Sequence, residues 1–159
     1  MDDTTAYHEA GHAFAAVRLG ARVRLVTIAP DDDDGPRRYG DTQLEWDHSA
    51  CSPEEIGSKT ILVALAGPVA EMIYSGDPYH PGFVPEWSSD WNLAWEASAP
   101  LHAHEPTRLA FLEQATAKMY RLLNRDDNWA VLASIVDELL AHETIEGDVV
   151  HDIVGAGFS

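Results

Sequence analysis

The segment His8-Glu9-Ala10-Gly11-His12 decides how this 159-residue chain is understood, because its spacing has a chemical meaning on a helix. Residues four apart on an α-helix share a face, so His8 and His12 can offer two imidazole nitrogens to one metal ion. Glu9 lies about 100° round the helix, within reach of a water molecule at an open position of that ion. Two neutral imidazoles bind zinc, and the carboxylate takes the proton of the water. The alternative is a pair of solvated helix histidines.

A helix around this segment is predicted from its two ends. Thr4 or Thr5 can cap its first turn, and Gly20 can accept the left-handed conformation that ends helices, so the helix should extend to about Leu19. Gly11 costs about 1 kcal/mol inside a helix and is usually kept where another group must approach closely. We therefore expect a close contact at Gly11.

Two strands and a long helix should follow. Residues 23–28 are rich in β-branched side chains, and residues 42–46 alternate so that Thr42, Leu44 and Trp46 share one face. A polar loop with glycines and a proline separates the two, which favours a hairpin.

The next helix has a complete start signal in Ser52, Pro53 and Glu55, and it should run to about residue 74. Pro68 should kink or break it, unless the preceding Gly-Pro step is a junction between two helices.

The remainder is predicted to be helical after an irregular loop over residues 76–85. A helix can start at Ser88 or Ser89, another at Pro106, a third over residues 127–142, and a short one after Thr144. We expect a single α+β domain over residues 1–159, mostly helical, with a zincin-like motif helix, a small β-hairpin or sheet and a C-terminal helical bundle. Residues 1–100 should carry the motif helix, the hairpin and the helix of the third ligand, and residues 101–159 the C-terminal helices. One apolar stripe of the C-terminal part is formed by Trp129, Leu132, Val136, Leu139 and Leu140.

Catalytic zinc sites normally have three protein ligands, so a third residue must complete the pair of histidines. Spacing alone does not choose among the candidates. A helix cap is the alternative role for an aspartate in a first turn, and a hydrogen bond to another residue is the usual role of an isolated histidine. The candidates are Asp90, Glu71, His48, His80, His102 and His104.

Several segments resemble the peptidase domain of FtsH-type ATP-dependent zinc metalloproteases, and together they span nearly the whole chain. In that family the aspartate of an Asn-Asp step is the third zinc ligand, so the resemblance implies that Asp90 completes the site. It also implies a zinc-dependent endopeptidase with Glu9 as general base. The similar segments are Ala6-Tyr7-His8-Glu9-Ala10-Gly11-His12-Ala13, Val26-Thr27-Ile28-Ala29-Pro30, Ala66-Gly67-Pro68-Val69-Ala70-Glu71, Ser89-Asp90 with Ala94, Leu139-Leu140, and Glu143-Thr144-Ile145.

The resemblance does not extend to the membrane segments and the nucleotide-driven ring domain of those proteases. Residues 57–60, Gly-Ser-Lys-Thr, come nearest to a phosphate loop, but the first glycine of such a loop is missing, Ser58 stands where the second belongs, and the segment lies in a predicted helix. We therefore interpret Lys59 as a solvated helix residue. We expect a stand-alone domain whose activity is independent of ATP.

Charge and composition limit the partners and the compartment. The chain has 27 Asp+Glu against 10 Lys+Arg, a formal net charge of −17, which repels phosphate backbones and anionic lipid surfaces. We expect neither nucleic acid nor a membrane as partner, since the apolar stretch over residues 61–70 is far short of the about 20 residues of a span. The acidic start is unlike a signal peptide, and one cysteine, Cys51, fits a reducing compartment, so the expected location is cytoplasmic.

The expected substrate is an unstructured peptide or protein segment, delivered in some cases by a partner ATPase or adaptor, and a homo-oligomer is compatible with this. The strand over residues 23–28, if it lies at the sheet edge, should hold the peptide by β-augmentation. The alternative is a zinc-binding regulatory or adaptor protein with the peptidase fold and little turnover. Glu9 argues against that alternative, because a structural metal site needs no general base.

Three further features are less specific. The aspartate run 31–34 could bind calcium but lacks the spacing of a known loop, so a solvated hairpin tip is favoured. Trp87, Trp91 and Trp95 recur at four-residue steps, which is more typical of a core or interface than of a substrate platform. Cys51 has no partner cysteine and is treated as incidental.

Overall fold

The computed structural model describes residues 3–30 and 40–158. The predicted tip over residues 31–34 lies outside the described residues. The fold is α+β and mostly helical, as predicted, with a three-stranded antiparallel sheet. Its elements are α1 (Thr4–Arg18), β1 (Arg22–Thr27), β2 (Asp41–Glu45), α2 (Pro53–Ser75), two 3₁₀ turns (Pro81–Phe83 and Pro85–Trp87), α3 (Ser88–Ser98), α4 (Glu105–Leu123), α5 (Asp126–His142), β3 (Thr144–Glu146) and α6 (Gly147–Gly157).

The sheet has the strand order β2-β1-β3. β1 and β2 pair antiparallel with Val26 opposite Thr42, which confirms the predicted pairing. β3 was not predicted, because three residues are too short to show alternation. It pairs with the other side of β1, so that Val26 also lies opposite Ile145. The strand over residues 23–28 is therefore central and does not meet the condition for holding a peptide by β-augmentation, while β2 and β3 form the two edges.

α1 packs more extensively against α2 than against any other described element, and the two helices meet at Gly11. A Cβ at this position would lie 2.6 Å from the Ala66 oxygen and 2.8 Å from the Ala70 Cβ. Because real Cβ atoms almost never approach so closely, only glycine allows the two backbones to meet here. The close contact expected at Gly11 is thus present, and it sets how α2 lies against the motif residues.

α2 begins as predicted, with the Ser52 hydroxyl accepting the Glu55 amide hydrogen at 3.2 Å. Pro68 does not break it, and no junction divides it, since the helix continues to Ser75. Pro68 is buried, and packing of α2 against α1, α3 and α4 holds the helix together on several sides. Among the described residues, α2 is the one helix long and apolar enough to cross a membrane, although 56% of its apolar window is buried inside the fold.

The main core lies between α1, the sheet, α2, α5 and α6, and a smaller cluster lies between α2, α3 and α4. α5 covers α1 with Leu132, Val136 and Leu139, as the predicted stripe requires, whereas Leu140 is 39% exposed. Ile135 takes its place in the core.

At the start of α1, Asp3 rather than a threonine occupies the N-cap position, and its side chain makes no capping hydrogen bond. Thr4 and Thr5 lie in the first helical turn. At the other end the prediction holds: the helix ends at Arg18, and Gly20 has a φ of 99°, in the left-handed region.

Candidate metal centre

The structure brings together His8, His12 and Asp90, the three residues predicted to bind zinc. α1 presents the two histidines on one face, and their Nε2 atoms lie 3.1 Å apart. The first turn of α3 places Asp90 Oδ2 2.8 Å from His8 Nε2 and Oδ1 3.3 Å from His12 Nε2. One ligand atom from each residue lies within 4.8 Å of the others, and this is the one such group among the described residues.

In both imidazoles the Nδ1 atom, which faces away from the ligand group, donates a hydrogen bond to a neighbouring acceptor. His12 Nδ1 donates to the main-chain oxygen of Val63 at 2.7 Å, and His8 Nδ1 donates to Glu71 Oε2 at 2.5 Å. Because a carbonyl and a carboxylate have no proton to give, both Nδ1 atoms carry the hydrogen. Each neutral imidazole then directs the lone pair of its Nε2 atom at the same small space. Two lone pairs cannot bond to one another, so this arrangement suits a positive charge between them.

In the absence of a metal, protons supply that positive charge. Burial opposes protonation of His8, but hydrogen bonds to Asp90 and Glu71 outweigh it and raise the pKa of His8 to about 10. Burial likewise opposes protonation of His12, and Asp90 again raises its pKa. For Asp90 burial would raise the pKa, but the charge of His12 and the hydrogen bonds from both histidines lower it. The centre therefore favours bound positive charge, which a divalent metal can supply in place of protons.

The distances fit zinc. Zn–N bonds of about 2.0–2.1 Å in a tetrahedral site place two ligand nitrogens about 3.3 Å apart, close to the separations of 2.8–3.3 Å observed here. Two imidazoles and one carboxylate are also a ligand set found in catalytic zinc sites, where a further position stays open. His8, His12 and Asp90 are thus the residues that could hold the metal.

Gly67 makes room for the two imidazoles. A Cβ at this position of α2 would collide with His12 Nε2 and would lie 2.6 Å from His12 Cε1 and 2.8 Å from His8 Nε2. The segment that includes Gly67 is one of those that resemble the protease family, but its contact with the motif histidines could not be predicted from spacing.

Glu71 lies behind His8 rather than beside the converging atoms. The same Oε2 atom that accepts from His8 Nδ1 also accepts from Trp87 Nε1 at 2.6 Å. Glu71 therefore orients the His8 ring and, on this geometry, Asp90 is the better third ligand. Trp87 is buried, and it precedes α3 instead of lying on it with Trp91 and Trp95. Trp87 is thus a core residue, as the spacing of the three tryptophans predicted, and not part of a substrate platform.

Glu9 is buried, with 6% of its surface exposed, and it lies next to the centre without being part of the ligand group. The Thr42 hydroxyl donates to Glu9 Oε1 at 2.8 Å. Gly40 packs against the same side chain, since a Cβ there would lie 2.8 Å from Glu9 Cγ and 3.0 Å from Oε2. Neither Thr42 nor Gly40 was predicted to belong to the site, because nothing in the sequence links β2 to the motif.

The other candidate ligands lie elsewhere. None of the four other histidines proposed as ligands belongs to the group described above, and each is exposed, hydrogen-bonded or stacked. His48 is exposed, His80 Nε2 lies 3.1 Å from Glu113 Oε2, the His102 ring centroid lies 4.6 Å from that of Phe111, and His104 Nδ1 lies 3.0 Å from Thr107 Oγ1.

A groove of about 790 Å³ opens over the centre. The groove is lined by residues 41–44 of β2 and by Gly40, which precedes that strand. Ser89 and Leu93 of α3 line it as well. Among the described strands β2 lies at an edge of the sheet, so residues 41–44 line the groove from an edge strand. The resemblance to FtsH-type peptidases stays a prediction, because no protein-family model and no curated protein matches this chain.

Proposed function

We propose that this chain is a zinc-dependent endopeptidase domain that hydrolyses peptide bonds in unstructured peptides or protein segments. The observation that carries the proposal is the position of Glu9, a buried carboxylate beside three converging ligand atoms. Structural zinc sites are closed by four protein ligands, whereas catalytic sites use three and keep an open position. Three ligands, a spare carboxylate and an open groove favour catalysis over a purely structural role.

Zinc bound by His8, His12 and Asp90 would polarise the peptide carbonyl and lower the pKa of the water that it binds. Glu9 takes a proton from the attacking water as the water oxygen bonds to the carbonyl carbon. It then gives the proton to the amide nitrogen as the C–N bond breaks. One water is consumed, and one carboxyl and one amino terminus are formed.

Neighbouring groups hold these residues in position. Thr42 binds one oxygen of Glu9 and leaves the other for the proton. Val63 and Glu71 hold the imidazole rings through their Nδ1 atoms, which keeps both Nε2 atoms available to the metal. This arrangement reduces the reorganisation needed at the moment of reaction.

β2 replaces the strand over residues 23–28 as the element that binds the substrate. An extended peptide can pair with the free side of β2 and so pass over the centre. A groove of this size admits an extended segment but not a folded domain. A folded substrate would therefore need a partner ATPase or adaptor to unfold it.

The test is cleavage of a denatured casein by the chain in three states: with zinc, after chelation, and after zinc is restored. We expect new peptide termini, read by mass spectrometry, in the first and third states alone. Cleavage that survives complete removal of metal would contradict the proposal. A chain that binds zinc firmly but cleaves neither casein nor a broad peptide library would favour the regulatory or adaptor function, which keeps the fold without turnover.

A further inference from the structure

We infer that the groove selects positively charged peptide segments and that a small cavity beside the metal centre receives the side chain of a lysine or arginine. This inference rests on the proposed function, since it names the substrate class of the same site. Two observations support it, namely the volume and apolar side of the cavity and the negative charges that line it.

The small cavity has a volume of about 220 Å³ and adjoins the groove. The two share Thr4, Glu71 and Glu86 in their walls, so they lie side by side. Val84 and Trp87 give the small cavity an apolar side that suits the methylene groups of a long basic side chain.

The polar part of the same cavity suits the charged end of such a side chain. Asp77 and Glu86 are exposed, and neither has an ion-pair partner among the described residues. Tyr79 adds a phenolic hydroxyl beside them. An ammonium or guanidinium group can therefore pair with carboxylates that no residue of the described chain neutralises.

The walls of the two cavities carry one sign of charge. They include six carboxylates and, among the described residues, neither lysine nor arginine. Asp90 and Glu71 already pair with histidines, whereas the other four carboxylates have no ion-pair partner among the described residues. The chain as a whole has a formal net charge of −17, which adds to the attraction for basic peptides. The six are Glu9, Asp41, Glu71, Asp77, Glu86 and Asp90.

A metal ion is not the expected occupant of the small cavity. Among the described residues one group brings three possible ligand atoms together, and it consists of the two motif histidines and Asp90. Asp77 and Glu86 do not converge in this way. Two carboxylates beside an apolar wall suit an organic cation with a long stem better than a small ion that needs a closed coordination shell.

The test measures binding of dye-labelled peptides to the zinc-loaded Glu9→Gln variant by fluorescence anisotropy. The probes are Gly/Ala/Ser peptides that differ at one central position, which is lysine, norleucine or glutamate. Norleucine keeps an aliphatic stem but has no charge. We expect the lysine peptide to bind at least about fivefold more tightly than the norleucine peptide, with the glutamate peptide weakest, and we expect salt to reduce the difference.

The double variant Asp77→Asn with Glu86→Gln should lose most of the preference for lysine. Its control is Glu105→Gln with Asp152→Asn, which removes the same charge from exposed residues that line neither cavity. Equal loss in both double variants would overturn the inference, because the attraction would then come from the whole protein. Equal binding of lysine and norleucine peptides would overturn it as well.

Cleavage of the same three peptides by the wild-type chain is measured as well, because it tests the proposed hydrolysis separately from the preference for lysine. Selective binding of lysine peptides with cleavage of none would contradict hydrolysis while supporting the acidic cavity. Equal cleavage and equal binding of all three peptides would support hydrolysis and contradict the selection of basic segments.

Discussion

The Nδ1 atom of His12 lies 2.7 Å from the main-chain oxygen of Val63, so the backbone of α2 holds a side chain of α1. A carbonyl oxygen can only accept, and the hydrogen must lie on Nδ1. The opposite nitrogen, Nε2, faces Asp90 and His8, and its lone pair is available to a metal when the ring is neutral. This one contact connects the crossing of two helices to the availability of a metal ligand.

Metal content should follow the ligand assignment. The purified chain should hold about one zinc, and His12→Ala should lose it. Asp90→Asn should weaken zinc binding more than Glu71→Gln, for which a loss of about 10- to 100-fold is expected because Glu71 only orients His8. Competition with a chromogenic chelator measures all three. The reverse order of the two carboxylate variants would transfer the role of third ligand to Glu71.

Gly67→Ala should abolish zinc binding, because its Cβ would occupy the space of the His12 ring. Gly57→Ala is the matched control on the same helix, since its Cβ would find its nearest neighbour, the Ala97 oxygen, at an ordinary 3.9 Å. Gly57→Ala should keep zinc and gain up to about 1 kcal/mol of stability from helix propensity. Metal analysis and thermal unfolding measure both variants. Full zinc content in Gly67→Ala would show that the rings do not need this space.

Thr42→Val should lower kcat by about tenfold or more without changing the zinc content. It removes the hydroxyl that donates to Glu9 Oε1, and hydrogen bonds to charged groups contribute about 1.5–3 kcal/mol. Thr42→Ser keeps the donor and should keep most of the activity. A serine variant as slow as the valine variant would mean that Thr42 acts through packing of β2 and not through this hydrogen bond.

The metal-free chain should lose stability as the pH rises from about 6.5 to about 10. His8 has a folded-state pKa raised to about 10, so its contribution is complete below its unfolded pKa of about 6.5 and disappears above the folded value. The pKa of Asp90 is lowered, so its contribution is present above about pH 3.9 and is lost in acid. Thermal unfolding in chelator across this range measures the effect. Excess zinc should remove the alkaline loss, because the metal replaces the protons.

Sequence reasoning was strongest where the signal is local. The four-residue spacing of His8 and His12 indicated a shared helical face, and the cap at Ser52 located the start of α2. Asp90 was one candidate of six until the family resemblance favoured it. For the two histidines and for the cap, the informative residues lie within a turn or two of one another, which is the range over which helix geometry constrains side chains.

The rest of the site depends on contacts between distant segments. Thr42 lies 33 residues from Glu9, and Val63 lies 51 residues from His12, so no periodic pattern connects them. Pro68 does not break α2, because burial among neighbouring helices overcomes the local tendency of proline to end a helix. β3 depends wholly on β1 for its pairing, and its position made the predicted edge strand a central one.

The most direct test of the catalytic role of this centre is the Glu9→Gln variant. Glutamine has nearly the same shape and is not a metal ligand in this arrangement, so zinc content and thermal stability should match those of the wild type. Loss of the base should slow peptide cleavage by about 10²- to 10⁴-fold, measured as initial rates on one peptide found to be cleaved by the wild type. Equal rates for the two proteins at equal zinc content would contradict the account.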